Sequence, residues 1–369
     1  MMRWIEGFAG IALLLATTSS MIRTLIMPRA TNSLISMAIS QVTFGFFRLI
    51  SRRSKTYRLR DAVMAWASPV TLLGLLVVWL LLYFVSYALL LDAFDSGTIS
   101  FAVALREAGS SIFTLGFAST DRAQLTLLDF MAAATGPIVI GMMIGYLPTL
   151  YGSFNRREQS VTQLAPRCGE PNWGPELLAR HAYLETLDQL SDLWREWEGW
   201  AADVSETHTS YPILLALRST TPQRNWAVAL LCVMDAAAMR IALVPSGLHG
   251  TSRVLLRQGI ACFTGLAGML GYREADGDEP LMTLTFEEFL DGIQRLDAAG
   301  FPSEVSAEEA WPGFSEWRQL YERQAYFLCY QIDAVPAPWS GPRNPVTEVI
   351  PAPALRRPET PGPGRFDRF

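Results

Sequence analysis

From Leu72 to Leu91 the chain reads LLGLLVVWLLLYFVSYALLL, twenty residues without a charge. A helix rises ~1.5 Å per residue, so this run is long enough to cross a ~30 Å hydrocarbon core and predicts a membrane span. Leu125 to Leu150 is nearly as apolar, with one carboxylate near its start, Asp129, and small residues through its middle. It predicts a second span. Trp4 to Ile22 is more diluted, by Glu6 and by Thr17-Thr18-Ser19-Ser20. Leu34 to Ile50 carries Gln41 and Arg48 and predicts an amphipathic helix lying in the membrane interface, with a short fourth span as the alternative.

Beyond about Ala165 the pattern changes. Arg, Glu and Asp alternate with apolar positions at three- and four-residue spacing, and no run alternates with the period of a strand. Helices are expected at Pro175 to Val204, Pro222 to Leu243, Thr251 to Leu270, Phe286 to Ala299 and Ser306 to Ile332, with Pro175 and Pro222 in first turns. Asp235 and Arg240 interrupt an otherwise apolar helix, which predicts a bundle core with a polar edge rather than a further span. The last stretch is proline-rich and predicts a disordered tail.

Charge orients these elements. Between Arg23 and Asp61 stand eight basic residues and one acid, whereas Asp92 to Gln124 holds four acids and two arginines. The positive-inside rule puts the first segment in the cytoplasm and the second outside, and Asn155-Arg156-Arg157-Glu158 after the second span is again inside. A cleaved signal peptide would leave both basic flanks outside, so Trp4 to Ile22 is expected to be a retained helix with its N-terminus outside.

Half of the 369 residues are hydrophobic and the net charge is only -5, which fits a membrane protein with a soluble part better than a purely soluble chain and offers no basic face for nucleic acid. Cys168, Cys232, Cys262 and Cys329 stand singly, without metal-ligand spacing, and read as reduced, buried small hydrophobes. His181, His208 and His249 form no ligand motif and read as capping or loop residues. Trp194, Trp197 and Trp200 share one helical stripe and read as core rather than as a ligand cage. Asp276, Asp278 and Glu287 have a superficial calcium-loop spacing, but Pro280 and Leu281 occupy places that need a ligand and a glycine, so calcium binding there is not expected. Neither a nucleophile with a base partner, nor a strand-GxGxxG-helix unit, nor a P-loop is present, so neither an enzyme nor a dinucleotide-type regulator is expected.

The stretch Ser110 to Thr120, SSIFTLGFAST, is too polar for either neighbouring span. Polar backbone at membrane depth is tolerated only when buried in protein or facing a water-filled path, which a re-entrant loop satisfies. Ile99 to Phe113 predicts a short helix whose C-terminal dipole end favours a cation, and Thr114 to Phe117 predicts an extended return to the outside.

The succession of outer helix, short helix, Thr-Leu-Gly-Phe, and inner helix ending in Phe-Asn-Arg-Arg-Glu-Gln resembles the pore-loop potassium channel family over roughly Leu72 to Gln159. The resemblance implies a homotetramer conducting a monovalent cation, potassium in the first place, with no cofactor. Thr114 would offer its hydroxyl and carbonyl, and Leu115, Gly116 and Phe117 their carbonyls. Ala118 stands where that family has a second glycine in left-handed backbone, where alanine costs roughly 1 kcal/mol, so a differently shaped outer filter is expected. Asp121 reads as a solvated loop acid, and Asp129 as a helix-start carboxylate. Gly136 with Pro137, and Gly141 beyond them, read either as a gating hinge or as small residues for close subunit packing.

The expected whole is an all-α membrane protein. It has a transmembrane helix in residues 1–27, a basic linker in 28–61, a pore unit in 62–158, a helical cytoplasmic domain in 165–335 and a disordered tail in 336–369. The helical domain would bias a gate through Tyr151 to Arg157 and meet a cytoplasmic regulator, with membrane lipid as the other partner. The second expectation is a non-conducting membrane scaffold or signal receptor of the same architecture, binding a partner through its helical domain.

Overall fold

A computed structural model describes residues 2–27, 33–95, 100–119, 122–273 and 282–341. Among them the chain is all helical, with no strand. Asp121, the Asp276–Asp278 stretch and the tail beyond Gly341 lie outside the described residues.

Four long apolar helices form one layer: α1 (Met2–Leu25), α2 (Leu34–Ser51), α4 (Ala67–Phe94) and the first half of α6 (Ala123–Cys168). Each is long and apolar enough to cross a membrane. A short α3 (Tyr57–Met64), capped by Thr56, leads into α4. The hydroxyls that dilute α1 have a use. Thr18 bonds Tyr83 at 2.9 Å, Ser20 accepts from Trp79 Nε1 at 3.1 Å, and Ser86 donates to the Gly10 carbonyl at 2.6 Å. Numbers rise on α1 as they fall on α4, so the two helices are antiparallel. In an apolar layer such bonds hold helices together where burial of apolar surface does not.

α2 starts beside the last turns of α1 and runs along the first part of α4, and it is long and apolar enough for either expected placement. Ser33 caps its start and donates to Ser20 at 2.6 Å, Ser36 bonds Thr24 at 2.7 Å, and Ile39 lies against Gly74 of α4. At its other end Arg48 donates to the Gln331 carbonyl at 2.7 Å, tying α2 to the helical domain.

The second half of the chain is a bundle of α7 (Gly174–Tyr183), α8 (Leu190–Ser210), α9 (Trp226–Leu243), α10 (Gly250–Met269), α11 (Phe286–Asp297), α12 (Ala307–Arg318) and α13 (Glu322–Gln331). α9 has a span's length and hydropathy, yet 89% of that window is buried inside the bundle, so it is the bundle's central core. Its Asp235 meets Arg318 and accepts from Tyr321 at 2.8 Å, so the acid is a buried network member rather than a polar edge. Trp194, Trp197 and Trp200 are buried in the same core, and the four cysteines are buried free thiols.

Four boundaries differ from expectation. Pro222 precedes α9; Asn225 caps it, accepting from the Ala227 amide at 2.9 Å. The stretch 175–204 breaks between α7 and α8, with Glu185 at φ 58°, and 306–332 breaks between α12 and α13. The expected tail begins too early. Val335 and Trp339 are buried, and Trp339 packs on Trp173, Phe289 and Phe314, so the bundle continues to Gly341.

Candidate functional site

α5 (Phe101–Ile112) is the short helix expected before the Thr-Leu-Gly-Phe turn. It lies between α4 and α6, with Ala104, Ala108 and Ile112 in their shared core. Its far end reaches deep. A Cβ on Gly136 would sit 2.0 Å from the Ile112 carbonyl oxygen, so glycine is what lets the end of α5 touch α6 there. Gly136 is thirteen positions into α6, which puts the end of α5 about 20 Å below the start of α6. The number of residues from Phe113 to Arg122 is enough to cover that distance, since extended backbone reaches up to ~3.3 Å per residue.

The turn at the bottom is not simply extended. Thr114 (φ 53°) and Gly116 (φ 69°) both take left-handed backbone, whereas Ala118 does not. The cost anticipated at Ala118 therefore falls on Thr114, a β-branched residue for which positive φ is a genuine outlier. What holds it there is Ser110, which is buried. Its carbonyl accepts from the Leu115 amide at 2.8 Å and its hydroxyl from the Ala118 amide at 2.9 Å, while the Thr114 amide donates to the Ser111 carbonyl at 2.9 Å. The amides thus point back into the helix end. The carbonyls of residues 114 to 117 accept no hydrogen bond from any described residue, and all four residues are exposed. Arg106 lies over the Phe117 ring at 5.3 Å.

Behind the turn sits an acidic contact that sequence reasoning missed. Asp129 is not a first-turn carboxylate. It is buried and accepts from the Ser111 hydroxyl at 2.8 Å, beside the buried Glu107 of α5. One oxygen of each carboxyl lacks a hydrogen-bond partner. Asp95, at the end of α4, pairs with Arg122 at the start of α6 and closes the frame. Ser110 and Glu107 stand four positions before Thr114 and seven before it; the only signal for them was the polar residues Arg106, Glu107, Ser110 and Ser111 on an otherwise apolar short helix.

Thr114 to Ala118 are therefore brought together in one turn, with Gly136 directly behind it. Pro137 and Gly141 are not part of that contact. Both are exposed on the outer face of α6, and nothing approaches Gly141 within 4 Å. α6 stays continuous through Pro137 and Pro148.

α6 also continues into the bundle, so no linker separates the apolar layer from the helical domain. Arg157 is fully buried there. It donates to the carbonyls of Leu214 (2.7 Å) and Leu217 (2.8 Å), to His208 Nε2 (3.1 Å) and to Glu158 (2.9 Å), flanked by Phe154 and Trp226. The 3₁₀ turn Pro212–Ala216 is thereby pinned against α6, and Leu214, Leu217 and Tyr211 pack with Tyr146 and Leu150 of the apolar layer.

His208 is neither a cap nor a loop residue but a buried part of this clamp. Arginine can only donate, so Nε2 accepts and the imidazole is neutral with its proton on Nδ1. Burial, and then the Arg157 charge, hold its pKa well below the ordinary imidazole range. The unfolded chain takes up a proton near pH ~6.5 that the folded chain refuses. Its contribution is complete above that pH and is lost as pH falls, by at most about 1.4 kcal/mol per pH unit. His208→Gln keeps an acceptor for Arg157 and is expected to lose less stability between pH 7 and pH 5 than wild type in denaturant titrations; identical losses would contradict this.

The chain matches no family model, no curated protein and no solved structure.

Proposed function

We propose that the protein is a multi-pass membrane channel for a monovalent cation, potassium in the first place, in which four chains bring residues 114 to 118 to a common axis. The observation that carries this reading is the polarity of the turn: the amides of Thr114, Leu115, Gly116 and Ala118 are tied to Ser110 and Ser111, and the carbonyls at 114 to 117 accept no hydrogen bond from any described residue. Bare carbonyls at this depth in an apolar layer are costly unless water or an ion meets them. Rings of such carbonyls replace the hydration shell of a cation.

One turn per chain needs symmetry to close an axis. The outer face of α6, where Ile138, Ile144, Gly141 and Gly145 are exposed, supplies an apolar surface for neighbouring copies. Gly136 is the seat of the short helix, and bending for a gate falls to the Pro137–Pro148 stretch. With the basic segments in the cytoplasm, the helical domain is cytoplasmic and reaches the gate through the Arg157 clamp. No resident cofactor is part of this reading.

Gly116 is the residue to change. Its φ of 69° is strained for any side chain and worst for a β-branched one. In potassium-loaded proteoliposomes, Gly116→Val is expected to lower potassium flux at least tenfold relative to wild type, with assembly unchanged by cross-linking. Equal flux, or no flux from wild type, would leave the non-conducting scaffold or receptor as the better reading.

A further inference from the structure

Where α1 ends and α4 begins, a cavity of about 440 Å³ opens between the apolar layer and the helical domain. The flank of α2 forms one wall and the Pro212–Ala216 turn another. Its lining is divided. Arg23, Arg48, Ser40 and Gln41 supply donors, while Met37, Phe44, Leu72 and Met143 supply an apolar side. None of the described lining residues is acidic. Arg218 also borders it but is neutralised by Asp61 at 2.5 Å and Asp333 at 3.2 Å. Arg48 has one bond, to the Gln331 carbonyl at 2.7 Å, and Arg23, Ser40 and Gln41 make none with any described residue. Arg23 and Arg48, with two neutral donors, therefore border a space to which no described lining residue brings a negative charge.

We infer that this cavity holds an anionic phospholipid from the leaflet on the basic side of the membrane. The headgroup is held by the positive charge of Arg23 and Arg48, which border the cavity at different points along the length of α2, and the glycerol and first methylenes lie against Met37, Phe44 and Leu72. Depth fits this occupant. Leu72 is five residues into α4, about 8 Å from its start, where headgroup gives way to hydrocarbon. The volume is within the usual range of ~300–1,000 Å³ for small-molecule sites. A zwitterionic lipid would bring an ammonium that finds no carboxylate here, and free phosphate would leave the apolar wall unused. An occupant touches α2, α4, α6 and the turn held by Arg157, so it joins the two halves of the molecule. The inference rests on reading the apolar helices as membrane spans and is independent of ion conduction.

The test is native mass spectrometry of the full-length protein released from detergent with dioleoyl phosphatidylglycerol, dioleoyl phosphatidylcholine or inorganic phosphate. Phosphatidylglycerol is expected to stay bound, one per chain, at least tenfold better than phosphatidylcholine. Arg23→Gln with Arg48→Gln is expected to abolish that preference while leaving phosphatidylcholine adducts unchanged. Met37→Trp, which fills the apolar side without touching a charge, is expected to reduce phosphatidylglycerol retention as well. Equal retention of the two lipids by wild type would overturn the inference without recourse to any variant. So would displacement of the lipid by millimolar inorganic phosphate, which would identify a site for the free anion. Potassium flux reads the pore proposal separately, so a failure of either leaves the other standing.

Discussion

Gly136→Val is expected to drive the short helix off the inner helix and to destabilise the apolar layer by about 3 kcal/mol or more, at or beyond the upper end of ordinary overpacking. The reason is the nature of the obstacle. A Cβ at Gly136 would stand 2.0 Å from a backbone carbonyl oxygen, which cannot rotate aside as a side chain can. α5 must move as a body, and its contacts at Ala104, Ala108 and Ile112 go with it. So does the Ser111 to Asp129 bond, and with it the support under the turn at residues 114 to 118. Thermal melting in detergent gives the reading, and a Gly136→Val melt indistinguishable from wild type would mean that α5 does not end against α6. Gly141→Ala is the control. Nothing lies within 4 Å of Gly141, so in the single chain the change should be neutral or gain up to ~1 kcal/mol of helix propensity. A loss of assembly in Gly141→Ala, without a loss of chain stability, would place that glycine between copies.

The elements with long uninterrupted signals were legible in the residues. Twenty uncharged positions at Leu72 to Leu91 admit little but a membrane-length helix, and the short helix before Thr114 follows from its amphipathic spacing and the polar turn after it. The breaks were not. Between Tyr183 and Leu190, and between Arg318 and Glu322, stands neither glycine nor proline. The second break brings Arg318 and Tyr321 onto buried Asp235, contacts 83 and 86 positions away that no local pattern encodes. The same holds at the candidate site. The turn residues could be read off, but whether Gly136 bends a helix or seats one depended on the Ile112 carbonyl arriving from another element. Trp339 was hidden differently: proline-rich composition signals poor helix formation, and a tryptophan buried against three aromatic rings orders such a segment without any helix.

Arg157→Met is expected to cost about 3–5 kcal/mol, the usual penalty for breaking a buried charged network from one side. Methionine matches the aliphatic stem and packs against Phe154 and Trp226, so the loss is polar rather than volumetric. The carbonyls of Leu214 and Leu217 are then buried without donors, at roughly 1–3 kcal/mol each. The cheapest relief is for the Pro212–Ala216 turn to leave α6 and take its carbonyls to water. Hydrogen exchange should therefore accelerate across residues 211–217 before it does in α9, whose core position does not depend on the clamp. Arg157→Lys keeps the charge but offers three donors from one nitrogen in place of a planar fork, and should fall between the two. Because Tyr211, Leu214 and Leu217 pack on Tyr146 and Leu150, release of this turn also unfastens the helical domain from the lower half of α6. In flux measurements that unfastening would appear as altered channel opening with an intact filter, separable from the conduction loss of Gly116→Val. Unchanged exchange in residues 211–217, with stability within 1 kcal/mol of wild type by the scale of a single neutral hydrogen bond, would remove the clamp as the coupling element.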